Sequence, residues 1–233
     1  ASAGRDAGLE AGLATPLGLP LVATLEEALA TPSDVVIDYT RPDAVAAHTR
    51  LALDAGRHVV IGTSGLSSAD YAEIDARARA RGRGVVAAGN FSITATLMKR
   101  FALEAGKWVA DVEVVDYASA AKPDTPSGTA RELAEALSAV RRPATSLPID
   151  ALSGPIASRG ATVAEPTPVQ VHSLRLPSYV LSCEAIFGAL DERLTIRHDA
   201  GSSPTPYVAG TLLAARRVVG RLGLTRGLDA LLD

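Results

Sequence analysis

Residues 34–40 read DVVIDYT, residues 58–64 read HVVIGTS and residues 84–90 read GVVAAGN. These runs start 24 and 26 residues apart. Each is short, β-branched and apolar through its middle, as strands buried on both faces of a parallel sheet must be. The intervening segments carry helical patterns. Residues 42–55 open on Pro42, which suits a first helical turn, and close at Gly56. Residues 68–80 follow Ser67, a candidate N-cap, with Ala, Ile and Tyr at helical spacing. A further segment, LPLVATLEEAL (19–29), reads as another strand entering a helix. Past Asn90 the pattern changes to a long helical run at 93–107, an alternating strand DVEVVDYA (111–118) and a helix from about 130 to 139. The stretches TPVQVHSLR, YVLSCEAIFG and ERLTIRHDA are strand-like and bounded by Pro and Gly, with Asp191-Glu192-Arg193 as a hairpin turn. The last helix starts near Pro206 and is expected against the first domain. The expected class is therefore α/β: a Rossmann-like doubly wound parallel sheet, incomplete at its N-terminal part, plus a smaller α+β domain with a mixed sheet. The expected domains are 1–92 with 205–233, and 93–204.

Composition narrows the chemistry. The 233 residues carry a net charge of −3 with no basic block, which argues against nucleic acid or an acidic membrane as the main partner. Neither an 18-residue apolar stretch nor a charged-then-apolar leader is visible, so no membrane partner is expected. The single cysteine, Cys183, excludes an internal disulfide, and a reducing, cytoplasmic setting is the simplest reading. The four histidines show no H-x-x-x-H or H-x-x-E spacing, so they read as hydrogen-bonded structural residues and no metal is expected.

In open parallel sheets ligands bind beyond the carboxyl ends of the strands. Those ends read Asp38-Tyr39-Thr40, Gly62-Thr63-Ser64-Gly65 and Ala88-Gly89-Asn90-Phe91-Ser92. They are rich in backbone donors and in glycine, which admits a ligand close to the chain, although the same residues also make ordinary turns. A second candidate is AKPDTPSGTARELAEAL (121–137). Among 20 arginines and three lysines, Lys122 alone sits in a Pro/Gly-rich loop that leads into a helix. Thr129 and Glu132 have the spacing of a capping box, which would start the helix there and leave the N–H groups of Ser127, Gly128 and Thr129 pointing outward. Such donors beside an ammonium suit a carboxylate or a phosphate; the plainer alternative is a capped helix with a solvated lysine.

KPDTPSGTA resembles the K-x-D-A-P-S-G-T-A loop of the dihydrodipicolinate reductase family. In the same order, VVIDYTRP is similar to the family's V-I-D-F-T-x-P, VVIGTSG to V-I-G-T-T-G and AAGNFS to A-P-N-F-S. The segments VHSLR, Glu184 to Phe187, ERLTIRH and the final helix extend the likeness over the whole chain. The resemblance implies hydride transfer from NADPH or NADH to 4-hydroxy-tetrahydrodipicolinate, a small cyclic dicarboxylate of lysine and diaminopimelate biosynthesis. It makes 1–92 with 205–233 the dinucleotide-binding domain and 93–204 the domain for substrate and oligomerisation. Tyr39, Thr40, Gly62, Thr63 and Ser64, with Ala88, Gly89, Asn90 and Phe91, would line the cofactor. Ser127, Gly128 and Thr129, together with Ser119, would hold the substrate. Lys122 would be the catalytic cation, a task that suits lysine because arginine is too basic to release a proton. Family members are usually homotetramers built through the second sheet.

Two departures qualify the resemblance. The family's His-His pair, four and three residues before the lysine, is replaced by Ala118 and Ser119. Lys122 then acts alone, with water or with Tyr117, or the substrate differs. Residues 1–13 resemble the segment after the family's glycine-rich turn, so about one βαβ unit, roughly 30 residues, is expected in front of them. The alternatives are a related imine or carbonyl reductase acting on another small cyclic acid, and a non-catalytic ligand-binding homologue.

Overall fold

The apolar runs at 34–40, 58–64 and 84–90 are strands of one parallel sheet, and their burial accounts for their composition. The structure, a computed structural model, describes residues 2–122, 124–140, 159–163 and 167–232. By contact the chain divides into two units, Ala1–Val86 with Ala215–Thr225, and Ala87–Ala214 with Arg226–Asp233.

The first unit begins with the short helices α1 (Ala7–Glu10) and α2 (Leu25–Leu29), followed by β1 (Val35–Asp38), α3 (Val45–Asp54), β2 (His58–Ile61), α4 (Ser68–Ala80) and β3 (Gly84–Ala87). β1 pairs in parallel with β2, from Val35 opposite His58 to Asp38 opposite Ile61. Every residue of β2 and β3 is buried, which is why both lack the alternation of a half-exposed strand. α4 starts where Ser67 predicts, with Ser67 and Asp70 forming a reciprocal capping box. α3 ends at Gly56, whose φ of 74° suits a residue without a Cβ. Its start differs from the expectation. Residues 42–44 form a turn, and the Ala44 and Val45 N–H groups both donate to the Arg41 carbonyl. Asp43, which could have capped a helix, is drawn instead into an ion pair with Arg41.

The strand expected at 19–23 does not form. The Leu17 and Leu19 N–H groups donate to the Asp6 carboxylate at 3.0 and 3.1 Å, and Pro20 has no N–H to give a ladder. Only an isolated bridge, Asp6 to Pro20, remains.

The second unit contains α5 (Ile93–Gly106), β4 (Asp111–Ala118), α6 (Gly128–Val140), β5 (Ala161–Val163), β6 (Val169–Arg175), β7 (Leu181–Ala189) and β8 (Glu192–Ala200). Its sheet has the order β5-β6-β4-β7-β8 and is mixed, with β4 parallel to β6 and antiparallel to β7. Met98 and Ala102 of α5 and Leu133 and Leu137 of α6 pack on Val112, Val114, Val171 and Phe187 of the sheet. Each fully buried large apolar side chain contributes about 1.5–3 kcal/mol. The β7–β8 turn is Leu190-Asp191, one residue earlier than expected, with Asp191 at a φ of 62°. Asp is one of the few residues that tolerate that conformation.

α7 (Thr205–Val218) starts in the second unit and ends in the first. β9 (Gly223–Arg226) pairs beside β3, completing the order β1-β2-β3-β9, and a 3-10 turn at Asp229–Leu231 follows.

Candidate functional site

The carboxyl ends of β1 and β2 are joined by one buried carboxylate. Asp38 is 4% exposed. It accepts hydrogen bonds from Thr63 Oγ1 (2.6 Å), Thr40 Oγ1 (2.9 Å) and the Thr40 N–H (3.0 Å), and His48 Nδ1 lies 3.0 Å away. Burial opposes the charge on Asp38, yet these donors hold its carboxyl below the usual carboxylate range. The two turns also pack against each other. A Cβ on Gly62 would lie 2.6 Å from Tyr39 Cζ and closer still to Cε1, so the Tyr39 ring rests on the glycine backbone. Tyr39 is half-exposed, Thr40 and Ser64 are exposed, and Gly62 and Thr63 are half-buried. The first unit therefore gathers five of the residues expected at a cofactor site into one polar, glycine-lined rim.

The turn after β3 belongs to the second unit. Ala88 and Asn90 are half-buried and Gly89 is exposed. The Ser92 N–H donates to Asn90 Oδ1 at 2.8 Å, and Asn90 Nδ2 donates to Thr129 Oγ1 at 3.4 Å. Phe91 is 1% exposed, and a Cβ on Gly210 would run into its carbonyl oxygen, so side chain and carbonyl alike are packed inward.

The lysine loop is built on a second buried carboxylate. Asp116, at an inward position of β4, is wholly buried. It accepts from the Ser127 N–H (2.8 Å), Ser127 Oγ (2.7 Å) and Arg175 Nη2 (2.8 Å). The same Arg175 nitrogen donates to the Asp124 carbonyl at 2.6 Å. Lys122 Nζ lies 2.8 Å from Asp124 Oδ1. Burial opposes the Asp124 charge, while Lys122 and the Gly128 N–H stabilise it and hold its carboxyl low. The N–H of Lys122 closes a turn onto the Ser119 carbonyl at 3.0 Å. Lys122, Ser119, Ser127, Gly128 and Thr129 are thus brought into one short segment of the second unit.

The helix start differs from the capping box read in the sequence. α6 begins at Gly128. Ser127 caps it, with Ser127 Oγ accepting from the Ala130 N–H at 3.3 Å and the Ser127 carbonyl accepting from Arg131. Glu132 does not reach back to the helix start but pairs with Lys99 Nζ at 2.7 Å, because a buried ammonium outcompetes a backbone amide for a carboxylate. Nor do all three expected backbone donors face outward, since Asp116 takes that of Ser127.

Ala118 is fully buried, and Tyr117 beside it is engaged elsewhere. Tyr117 Oη donates to Glu184 Oε1 at 2.7 Å, and the Arg197 guanidinium stacks 4.7 Å from the ring centroid. Burial and Glu184 push the Tyr117 hydroxyl up to about 12. The histidines have structural partners: His58 accepts from the Gly84 N–H and His172 pairs with Glu113. Among the described residues no group of three or more His, Cys, Asp or Glu side chains is placed to hold a metal ion. Sequence reasoning passed over Asp116 and Arg175 as contributors and read Glu132 only as a capping residue. One signal was available for Asp116, a carboxylate at the inward register of an alternating strand otherwise filled by Val112 and Val114.

Two family models match the chain: "Dihydrodipicolinate reductase, N-terminus" over residues 1–91 and "Dihydrodipicolinate reductase, C-terminus" over residues 90–232. The 4-hydroxy-tetrahydrodipicolinate reductase of Desulfitobacterium hafniense is 39% identical over 232 residues, covering 99% of this chain and 85% of the relative. That of Mycolicibacterium smegmatis is 38% identical over 202 residues, covering 86% and 81%. A solved dipicolinate-bound dihydrodipicolinate reductase from Paenisporosarcina sp. TG-14 superposes with a TM-score of 0.77 at 29% identity, covering 97% of this chain and 85% of that one.

Proposed function

The chain belongs to the dihydrodipicolinate reductase family, and from that membership we propose that it reduces 4-hydroxy-tetrahydrodipicolinate to tetrahydrodipicolinate in lysine and diaminopimelate biosynthesis. It is a reductase that uses a nicotinamide cofactor, NADH or NADPH. When bound, that cofactor supplies the hydride. The residues present fit it: Gly62 has no room for a side chain beneath Tyr39, and Thr40 and Thr63 are held by Asp38. In this reading Tyr39, Thr40, Gly62, Thr63 and Ser64 of the first unit line the nicotinamide side. Ala88, Gly89 and Asn90 are further cofactor residues in this reading, with 1–92 and 205–233 as the cofactor domain and 93–204 as the substrate domain.

One observation carries the substrate assignment. The Asp124 carboxylate pairs with Lys122 Nζ at 2.8 Å a few residues before the start of α6 at Gly128, so the loop already holds a carboxylate on the ammonium that a dicarboxylate needs. Asp124 thereby stands in for a substrate carboxylate, which would displace it and take up Lys122 and Gly128, with Thr129 and Ser119 beside them. Lys122 then offsets charge, or delivers the proton, as the ring nitrogen gains electrons. Tyr117 is a poor acid here because its hydroxyl is committed to Glu184. Ala118 and Ser119, which carry no acid in place of the family's histidines, favour a second reading, reduction of a related small cyclic imine. We place the protein in the cytoplasm, in keeping with its one free thiol. A homotetramer built through the five-stranded sheet is supported by the exposed Leu190 and Leu194 at its edge.

The test is oxidation of NADPH and NADH by the full-length protein with freshly generated 4-hydroxy-tetrahydrodipicolinate. Turnover supports the assignment. Tight cofactor binding without turnover would overturn it in favour of another cyclic imine, and binding of neither ligand would point to a non-catalytic homologue.

A further inference from the structure

Lys99 on α5 is 16% exposed and lies between two carboxylates, Glu132 Oε1 at 2.7 Å and Asp229 Oδ1 at 3.2 Å. Burial opposes its charge, but the two carboxylates prevail and hold the ammonium charged. Glu132 cannot swing away without leaving that buried charge half-paired, which is costly. It is therefore fixed, and its other oxygen abuts the turn after β3: a Cβ on Gly89 would lie 2.6 Å from Glu132 Oε2. One helical turn back on α6, Thr129 Oγ1 accepts from Asn90 at 3.4 Å. The 89–90 turn and the first turn of α6 thus meet at two points on the same helix face. The cavity between them, about 20 Å³ and lined by Asn90, Lys99, Thr129 and Glu132, holds no more than a water.

We infer that Glu132, pinned by Lys99, is a positioning residue that couples the cofactor turn at 88–91 to the substrate donors at 127–129, so that occupancy of either site tightens binding at the other. The inference rests on the functional reading above. A ligand that orders the 89–90 turn presses on Glu132 and Thr129 and orders the start of α6, and by linkage the effect runs equally in reverse.

Titration calorimetry on the full-length protein with dipicolinate, with and without saturating NADPH, tests this. The wild type is expected to bind dipicolinate about fivefold or more tighter with NADPH present. Glu132→Gln keeps the shape but weakens the pin, and should bring that ratio toward one while each ligand alone still binds. Gly89→Ala perturbs the same contact from the exposed turn, should act in the same direction, and decides alone if Glu132→Gln fails to fold. Asp229→Asn disturbs the Lys99 cluster without touching either turn and should keep the ratio. A wild-type ratio of one with both ligands bound, or a wild-type ratio retained in Glu132→Gln, would overturn the coupling and leave the functional reading intact. Failure of the wild type to bind either ligand would overturn that reading and this inference with it.

Discussion

Asp116 holds the lysine loop from beneath. Its wholly buried carboxylate faces the Ser127 amide and hydroxyl and the Arg175 guanidinium. Asp116→Ala would strand a nearly buried arginine charge and orphan the amide, so we expect a loss of about 3–5 kcal/mol in denaturant unfolding. A loss under about 1 kcal/mol would mean water replaces the carboxylate. Asp38 plays the matching part under the turns after β1 and β2, and its effect depends on pH. Its folded pKa lies below the ordinary value of 3.8, so its stabilisation is complete above that value and is lost as pH falls through the lowered one. Asp38→Asn should remove that acid limb from a plot of melting temperature against pH; an unchanged limb would contradict the assignment. At this scale the sequence was legible where a side chain acts through a local motif, as at Ser67. It was opaque where the partner is remote: Asp116 and Arg175 are 59 residues apart, and no spacing rule joins them.

Elements were read well where burial sets the pattern and poorly where side chains compete for the backbone. β4 spans the residues its alternation marks, and β2 and β3 lie within their apolar runs. The stretch at 19–23 has a strand's composition, but Asp6 captures the Leu19 amide and Pro20 lacks one. The Thr129–Glu132 spacing mimics a capping box, yet Lys99, 33 residues away, claims the glutamate. The turns after β1 and β2 offer a sharper test. In Gly62→Ala the new methyl would displace the Tyr39 ring, which is half-exposed and can swing into solvent. The damage should therefore appear in cofactor binding more than in stability. We expect NADPH affinity, followed by nicotinamide fluorescence, to fall by about tenfold or more for a loss of about 1.4 kcal/mol. Unchanged affinity would remove Tyr39 and Gly62 from the cofactor site.

For the whole molecule, the sequence announced a parallel sheet followed by a mixed one. The contact division falls at Val86, so the Ala88–Phe91 turn lies in the same unit as the lysine loop. Strand composition cannot show this, because it depends on the Asn90–Thr129 and Glu132–Gly89 contacts that only the folded chain makes. The single thiol reports on the integrity of that unit. Cys183 on β7 is buried, and burial with Asp116 and Glu184 nearby pushes it up to about 12. It should resist an aromatic disulfide reagent at pH 8 in the native protein and react fully once unfolded.

Lys122 is proposed as the cation that carries the reduction, and its removal is the most direct test. The most direct measurement compares steady-state turnover of 4-hydroxy-tetrahydrodipicolinate by the full-length protein and its Lys122→Ala variant, with NADPH binding measured in parallel. We expect turnover to fall by about a hundredfold or more with cofactor binding preserved. Turnover in the variant close to that of the wild type would contradict it.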